Sequence, residues 1–503
     1  MMTKSIKVLY PDIYFEMWAE IAIEMFEKYN WDPVYIVADN RYKKTLNNRF
    51  PAATYHDRDK AVVGIPPDEA VDFIGKTPID QDMLRRFKYD ESLYLHMLDR
   101  FDPYNNFTYR ERVYYYHKMI RYWLGVLSHY KPDIVVYPYV PHMGYDYVTY
   151  MLTKELNIET RMFLELPFGK IILTNNYNTH FPIREEYNNY LNSNKDFTID
   201  ERIDEYMSVS PEDKNKNEKP IDKIKRKIRN VARGVKRKVM SIAKELSYIF
   251  YLFHAGTVKT DFKIRGQQWN YLTSMRNKKS YKRNAAKKRA KLRKYYNNQV
   301  EEFDKSQKYI YIPLHYQPEE TSCPRGELYA HQHLLIDLVF KCLPEDWKIY
   351  VKEHPWQFSG PLVASGSRCQ QDYEYLLNIP KVRFIDMSVS SFELIDSARA
   401  VATITGTAGW EALVRGIPVL LFGHSWYKGC EGVLDASTIE SCQKAIDLIN
   451  SGYKPDKEKV RLFVYIADKL SIQGALNENS EKEFMVDRKV NVQNITTCLA
   501  QSL

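Results

Sequence analysis

Polar residues that could bind a phosphorylated ligand recur between Tyr309 and Gly423, and each group follows a short apolar strand. In chain order the groups are His315-Tyr316-Gln317-Pro318-Glu319-Glu320, Lys352-Glu353-His354-Pro355, Ser390-Ser391 and Thr405-Gly406-Thr407-Ala408-Gly409-Trp410-Glu411. The carboxyl ends of the strands in an open parallel sheet line one edge, and ligands bind at that edge. The pattern therefore predicts an α/β domain with a nucleotide site at one sheet edge.

Each group offers a different contact. His354 could donate a hydrogen bond to a phosphate oxygen and so stabilise a departing nucleotide. Ser390 and Ser391 begin a predicted helix, whose free N–H groups attract anions. The small residues around Gly406 let backbone N–H groups approach a ligand, and Glu411 could accept from ribose hydroxyls. The alternatives are a locally bonded histidine, simple helix capping and a tight packing turn.

Carboxylates that could act as base or nucleophile stand near the same edge. Glu319 and Glu320 open a loop that is too long for a simple turn between strand and helix. Glu165 ends a strand in the first half of the chain and should face the same cleft. The residues leave the choice open, with Glu319 first because it adjoins Gln317-Pro318. On the first half's side of the cleft, the candidates are His142 and Asp12, followed by Asp146.

The length of 503 residues suits two domains and an insertion. Strands and helices alternate in the first part, which predicts a parallel sheet. Its first strand is not followed by the Gly-x-Gly-x-x-Gly of dinucleotide sites. The predicted parts are an α/β domain at 1–212, a basic helical insertion at 213–300, a second α/β domain at 301–450 and a helical tail at 451–503.

The net charge of +9 is unevenly distributed. Residues 214–300 contain 27 Lys+Arg and 4 Asp+Glu, or +23, and the remainder contains 46 and 60, or −14. Apolar residues from Ile221 to Ile249 recur at helical spacing opposite a cationic face, as in helices that lie on anionic membranes. We expect an anionic membrane surface as a partner of 214–300, and nucleic acid is the less favoured alternative.

Cysteine usage and hydropathy indicate the compartment. The six cysteines form no C-x-x-C pair, which favours free thiols in a reducing cytoplasm. No apolar run reaches the roughly 18 residues that span a bilayer. We therefore expect a cytoplasmic protein, peripheral on the inner face of the plasma membrane.

The motifs between about 305 and 430 resemble the capsule polysaccharide synthesis family, which includes bacterial β-Kdo transferases and relatives of the sialyltransferases. The similarity lies in YIPLHYQPE, VKEHP, the serine pair, TGTAGWEAL and GIPVLLFG. It implies a GT-B fold, in which two Rossmann-like domains face a cleft. The acceptor then faces the domain at 1–212, and a nucleotide sugar binds the domain at 301–450.

The resemblance also implies roles for particular residues. His354 and the serine pair would contact a CMP-linked donor, and Gln317-Pro318 corresponds to the family's QP motif. Relatives often carry an aspartate where this chain has Tyr316, so the catalytic carboxylate stays open among Glu319, Glu320 and Glu165. The full predicted donor site is Gln317, Lys352, His354, Ser390, Ser391, Thr405, Gly406, Thr407 and Glu411.

The sequence thus predicts a glycosyltransferase that uses a nucleotide-activated sugar, with CMP-Kdo or a similar CMP-sugar favoured, and a glycan or lipid-linked acceptor. No cofactor and no metal are expected, because none of the four motifs contains Asp-x-Asp. The alternatives are a CDP-glycerol glycerophosphotransferase of teichoic-acid type, a UDP-sugar transferase or epimerase, and a non-catalytic scaffold that binds nucleic acid through residues 214–300.

Overall fold

Two seven-stranded sheets, which belong to one compact unit, dominate the structure. The predicted α/β class and GT-B architecture, two Rossmann-like sheets, are confirmed for these parts of the chain. The amphipathic helix predicted between Ile221 and Ile249 lies outside the described residues. The computed structural model describes residues 5–70, 77–101, 107–178, 182–193, 197–199, 204, 207, 279–360 and 366–502.

The first sheet has the strand order β14-β6-β5-β4-β1-β2-β3. Strands β1 to β5 are parallel, β6 is antiparallel to β5, and β14 is antiparallel to β6. The strands are β1 Ile6–Ile13, β2 Trp31–Ala38, β3 Thr54–Asp57, β4 Ile134–Tyr137, β5 Glu159–Leu166, β6 Lys170–Thr174 and β14 Ile472–Gln473.

The second sheet has the order β13-β12-β11-β8-β9-β10-β7 and is parallel throughout. Its central strands are buried, which accounts for their continuous apolar runs. The strands are β7 Val300–Glu301, β8 Lys308–Pro313, β9 Trp347–Lys352, β10 Val382–Ile385, β11 Ala400–Thr403, β12 Val419–Leu421 and β13 Val433–Asp435.

Helices connect and cover the strands. They are α1 Glu16–Tyr29, α2 Lys43–Arg49, α3 Arg58–Val62, α4 Gln81–Arg86, α5 Lys88–Met97, α6 Tyr109–Tyr130, α7 Tyr145–Glu155, α8 Pro182–Ser193, α9 Lys279–Asn297, α10 His333–Cys342, α11 Trp356–Ser359, α12 Gln370–Leu377, α13 Ser391–Ser397, α14 Thr407–Val414, α15 Ile439–Asn450, α16 Lys457–Lys469, α17 Glu478–Glu483 and α18 Arg488–Gln501. Short 3-10 turns span Asn40–Tyr42, Asp68–Ala70, Leu98–Arg100 and Glu327–Ala330.

Local sequence sets the ends of α6, the longest of the helices that the structure describes. Thr108 caps it through a reciprocal capping box with Glu111. The helix ends at Lys131, which adopts the left-handed conformation at φ 45°. None of the helices that the structure describes is both long and apolar enough to cross a membrane.

The segment predicted as a helical tail, 451–503, returns to the first sheet. It contains α16 to α18, and its short strand β14 pairs with β6. Side chains of α18 join the apolar core formed by α1 and the first sheet. The first sheet is therefore built from both ends of the described chain.

Asn491 holds this returning segment in place, and we predict that Asn491→Ala lowers the free energy of unfolding by about 2–4 kcal/mol. Asn491 is fully buried; its side chain accepts from Ala475 N–H at 3.1 Å and donates to Ala475 C=O at 3.0 Å. The variant leaves both buried backbone groups unpaired. Urea denaturation measures the change.

Asn494→Ala on the same helix is the matched control, because Asn494 is only half-buried and donates one bond, to Gln473 C=O. It should change stability by less than about 1 kcal/mol. Equal losses in the two variants would contradict the role given to Asn491.

Candidate functional site

The strand order of the second sheet reverses between β8 and β11. In open α/β sheets, the ligand crevice lies at the carboxyl ends of the strands beside such a reversal. His315 follows β8, and its Nε2 lies 3.0 Å from Thr403 Oγ1 at the end of β11. Burial lowers the pKa of His315 to about 3, so the ring is neutral. Thr403 Oγ1 also accepts from Gly406 N–H at 3.1 Å. His315 and Thr403 thus shape the crevice; the sequence placed His315 in a strand-end group without an individual role and did not single out Thr403.

The turn from β11 into α14 presents backbone rather than side chains. A Cβ at Gly406 would lie 2.9 Å from Thr403 Oγ1, so a small residue is required. Gly406 caps α14 without a side-chain bond, and Gly409 N–H donates to Gly406 C=O at 3.1 Å. The N–H groups of the exposed Thr407 and of Ala408 have no cap among the described residues. The Thr405 hydroxyl donates to Thr321 C=O. Glu411 is half-buried in the second turn. The backbone of this turn suits an anion.

The predicted serine pair has protein partners in this structure. Ser390 Oγ accepts from Phe392 N–H at 3.2 Å and caps α13. Lys352 Nζ donates to Ser391 Oγ at 2.7 Å and to Val389 C=O at 2.8 Å. The two serines and Lys352 therefore form a local bonded group beside the crevice, as the capping alternative predicts.

A buried ion pair that sequence reasoning missed lies under the K-E-H-P motif. Glu353 and Arg368, 0% and 7% exposed, are 3.0 Å apart. Glu353 also accepts from Tyr373 OH at 2.7 Å and from His354 N–H at 2.8 Å. Arg368 donates further to His315 C=O at 3.3 Å. The pair fixes the backbone that carries His354. In the sequence, its only sign was Glu353, a charged residue at the end of a strand.

His354 presents one ring nitrogen outward. Its Nδ1 accepts the backbone N–H of Trp356 at 3.2 Å. A neutral imidazole has one donor and one acceptor nitrogen, so Nε2 carries the proton. The side chain is exposed, but nearby protein atoms remove part of its hydration and lower the pKa of His354. The ring is thus a neutral N–H donor near pH 7.

Gln317 ties the second sheet to the first half of the chain. It is buried, and its Nε2 donates to Ala330 C=O at 2.6 Å. The same atom lies 3.5 Å from Nε2 of His96 in α5. Its backbone N–H donates to Gln357 Oε1 at 3.2 Å. These contacts give Gln317 a positioning role at the cleft.

The two loop glutamates differ in environment. Glu319 is exposed and accepts from Thr321 Oγ1 at 3.0 Å. Surrounding protein atoms and the charge of Glu320 raise the pKa of Glu319. Glu320 is paired with Arg325 at 3.4 Å. Of the two glutamates, Glu319 has the carboxylate that is exposed to solvent. Its raised pKa makes it the better proton acceptor.

The carboxylates predicted as site residues in the first half of the chain already accept hydrogen bonds from other protein groups. Asp12 is buried, pairs with Arg58 at 2.6 Å and accepts from Tyr139 OH. Asp146 is also buried, and burial together with Asp12 raises its pKa to about 7. Its carboxylate accepts from backbone N–H groups at 2.7–3.0 Å, those of His142, Met143 and Tyr147.

His142 and Glu165 take up different surroundings. His142 Nδ1 lies 2.8 Å from Val140 C=O, and burial lowers the pKa of His142 to about 3. Burial raises the pKa of Glu165, and its Oε1 is a buried atom with no hydrogen-bond partner among the described residues. Glu165 lies beside Ser480 and Glu483 of the returning segment.

Arg100 links the two halves electrostatically. It ends a 3-10 turn, and its charge acts on Glu319, Tyr316, His142 and Asp146. Nothing in the surrounding sequence singled it out. In the described parts of the chain, His, Cys, Asp and Glu side chains form no group of three that could hold a metal. The residues that converge at the cleft are therefore Arg100, Tyr316, Gln317, Glu319 and His354.

The family profile described as "Capsule polysaccharide biosynthesis protein" matches residues 260–464. This range includes all four strand-end groups and confirms the resemblance predicted from them. A curated relative, Protein FixF of Sinorhizobium fredii (strain NBRC 101917 / NGR234), is 32% identical over 136 residues. That match spans 27% of this chain and 30% of FixF, so it covers under a third of the relative's length.

Solved structures align over much of the chain at low identity. KpsC of Thermosulfurimonas dismutans, titled a beta Kdo 2,7 transferase, is 12% identical, with 74% of this chain and 94% of that chain covered and a TM-score of 0.25. UDP-GlcNAc 2-epimerase of Methanocaldococcus jannaschii is 14% identical, with 92% and 100% covered and a TM-score of 0.24.

Proposed function

We propose that this protein is a glycosyltransferase that extends a capsular or other surface glycan from a nucleotide-activated sugar. The match of residues 260–464 to the capsule polysaccharide biosynthesis profile supports this proposal. CMP-Kdo or a similar CMP-activated acidic sugar is the favoured donor. The donor nucleotide lies at the second sheet's edge, and no metal is required.

The outward Nε2–H of His354 is the observation that carries this proposal. A neutral N–H donor, fixed by Trp356 N–H and by the Glu353 carboxylate, suits a phosphate oxygen whose negative charge grows as the sugar leaves. The uncapped first turn of α14 supplies backbone N–H groups for the same nucleotide. Lys352 and Ser391 position the neighbouring turn.

Glu319 is the carboxylate we propose for the acceptor side. Its exposure and raised pKa suit a group that takes a proton from an acceptor hydroxyl. Asp12 and Asp146 are less suited, since protein donors occupy their oxygens. Glu320 is engaged by Arg325, and Glu165 faces the returning segment.

Residues 214–300 are proposed to hold the enzyme on an anionic membrane surface, close to a lipid-linked acceptor. The described part of this segment supports the proposal. Helix α9 buries Leu292 and Tyr296 in the second core and leaves Lys291, Arg293 and Lys294 exposed. An exposed cationic face on a docked helix suits phospholipid headgroups.

The nucleotide preference tests the proposed function. CMP or CDP should raise the melting temperature of the protein more than UDP or GDP does, because a ligand of the native state stabilises it by mass action. The shift should persist in EDTA. Differential scanning fluorimetry measures it. A larger shift with UDP would favour a UDP-sugar enzyme, and equal shifts with all four or strict Mg²⁺ dependence would refute the donor assignment.

His354→Ala should lower kcat by about 10²–10³-fold, because the variant lacks the donor aimed at the leaving phosphate. Glu319→Gln should be similarly impaired at saturating donor. His354→Gln should retain more activity than His354→Ala, since its amide N–H can reach toward the same oxygen. Transfer of radiolabelled sugar into polymer measures kcat, and thermal unfolding checks that the variants fold.

Glu320→Gln is the matched control, one residue from Glu319, and should keep most of its activity. Near-normal turnover in His354→Ala would remove the phosphate role. A dead Glu320→Gln with an active Glu319→Gln would reverse the assignment of the carboxylate.

Binding to vesicles that contain anionic phospholipid should weaken as salt rises, because the Debye length falls from about 10 Å at 0.1 M to about 3 Å at 1 M. Replacing Lys225, Arg226, Lys236 and Arg237 by glutamate should release the protein from vesicles. The nucleotide-induced shifts in melting temperature should be unchanged. Co-sedimentation measures binding.

The control places the same four charge changes at exposed lysines elsewhere, Lys43, Lys44, Lys457 and Lys459. If both sets release the protein equally, binding reflects net charge alone. A preference for nucleic acid over anionic lipid at matched salt would also refute the membrane role.

A further inference from the structure

Trp356 is unusual among the tryptophans that the structure describes, because its side chain is exposed. It is 58% exposed, whereas the other six are each at most 8% exposed, namely Trp18, Trp31, Trp123, Trp347, Trp410 and Trp426. An indole gains stability when it leaves water. A ligand bound beside the candidate site would cover the exposed indole and be stabilised by that burial.

Hydrogen bonds fix the backbone of Trp356, and its indole packs against a neighbouring ring. The Trp356 backbone N–H donates to His354 Nδ1 at 3.2 Å, and its C=O accepts from Gly360 N–H at 2.7 Å. The Tyr316 ring and the indole are nearly perpendicular, with centroids 6.1 Å apart and planes at 86°. A fixed aromatic ring loses little conformational entropy when it binds.

Its position favours the sugar end of the reaction over the nucleoside end. Trp356 follows β9, whereas the turn with Gly406 follows β11, and β8 lies between these strands. Tyr316 is within electrostatic range of Arg100 and Glu319, which line the cleft toward the first half of the chain. Trp356 therefore lies beside His354 and Tyr316, away from the Gly406 turn and on the side of the carboxylate proposed for the acceptor.

We infer that the face of Trp356 is a platform on which one sugar ring of the acceptor glycan stacks. The C–H bonds on one face of a pyranose present an apolar surface that complements an aromatic ring. The hydroxyl groups at the ring's rim remain free to bond with Glu319. This inference rests on the proposed function and adds a residue that selects and orients the acceptor.

The test uses the full chain and an array of bacterial surface oligosaccharides. Trp356→Ala should reduce binding to the oligosaccharides that the wild type retains by about tenfold or more, and raise the acceptor KM similarly, with little change in kcat at saturation. Trp356→Phe should keep most of the binding. The CMP-induced thermal shift should be the same in all variants.

Tyr114→Ala is the matched control, since Tyr114 is 63% exposed on α6 and has no part in the candidate site. It should leave oligosaccharide binding unchanged. The inference is overturned if Trp356→Ala binds oligosaccharides normally, if it loses the CMP shift instead (nucleobase stacking), or if the wild type retains no oligosaccharide. If the wild type retains oligosaccharides but no nucleotide raises its melting temperature, the proposed function is refuted and the assignment of Trp356 as a sugar platform is not.

Discussion

The ion pair between Glu353 and Arg368 fixes the edge of the second sheet. Both charges are removed from water, and either one alone would be strongly destabilising there. The pair is therefore confined to one arrangement, in which the guanidinium also bonds to His315 C=O and the carboxylate bonds to His354 N–H. Tyr296 connects β10 to this arrangement. Its hydroxyl accepts from Glu353 N–H, just after β9, and donates to C=O of Ile385, the last residue of β10. The ends of β8, β9 and β10 are thereby held in one register.

The two sheet edges use their polar groups differently. At the second edge, His354 Nε2 and the N–H groups of Thr407 and Ala408 have no hydrogen-bond partner among the residues that the structure describes. At the first edge, Asp12 is paired with Arg58 and accepts from Tyr139 OH, and Asp146 accepts from backbone N–H groups. Polar groups near the carboxyl ends of strands thus remain open to a ligand at the second sheet and serve internal cohesion at the first. Residue type alone cannot distinguish these uses.

Much of the fold could be predicted from the sequence, because continuous apolar runs mark buried parallel strands and polar groups mark their carboxyl ends. The resemblance of this region to the capsule polysaccharide synthesis family and the place of His354 at a strand end followed from the same runs. The sequence could not reveal Arg368, whose partner Glu353 lies fifteen positions earlier and meets it only through the fold. Arg100 was missed because its relation to Glu319 crosses from one half to the other. The saturation of Asp12 depends on Arg58, a contact that only the packing of β3 beside β2 and β1 creates.

The pairing of β14 with β6 has a consequence for the order in which the chain can fold during synthesis. The whole second sheet lies between these two strands in sequence. A ribosome therefore releases β1 to β6 long before the strand and helix that complete their layer. Until α18 emerges, the apolar surface of α1 lacks its covering helix. The second sheet is contiguous in the chain and can close first, so the first half of the protein to be made is the last to be finished.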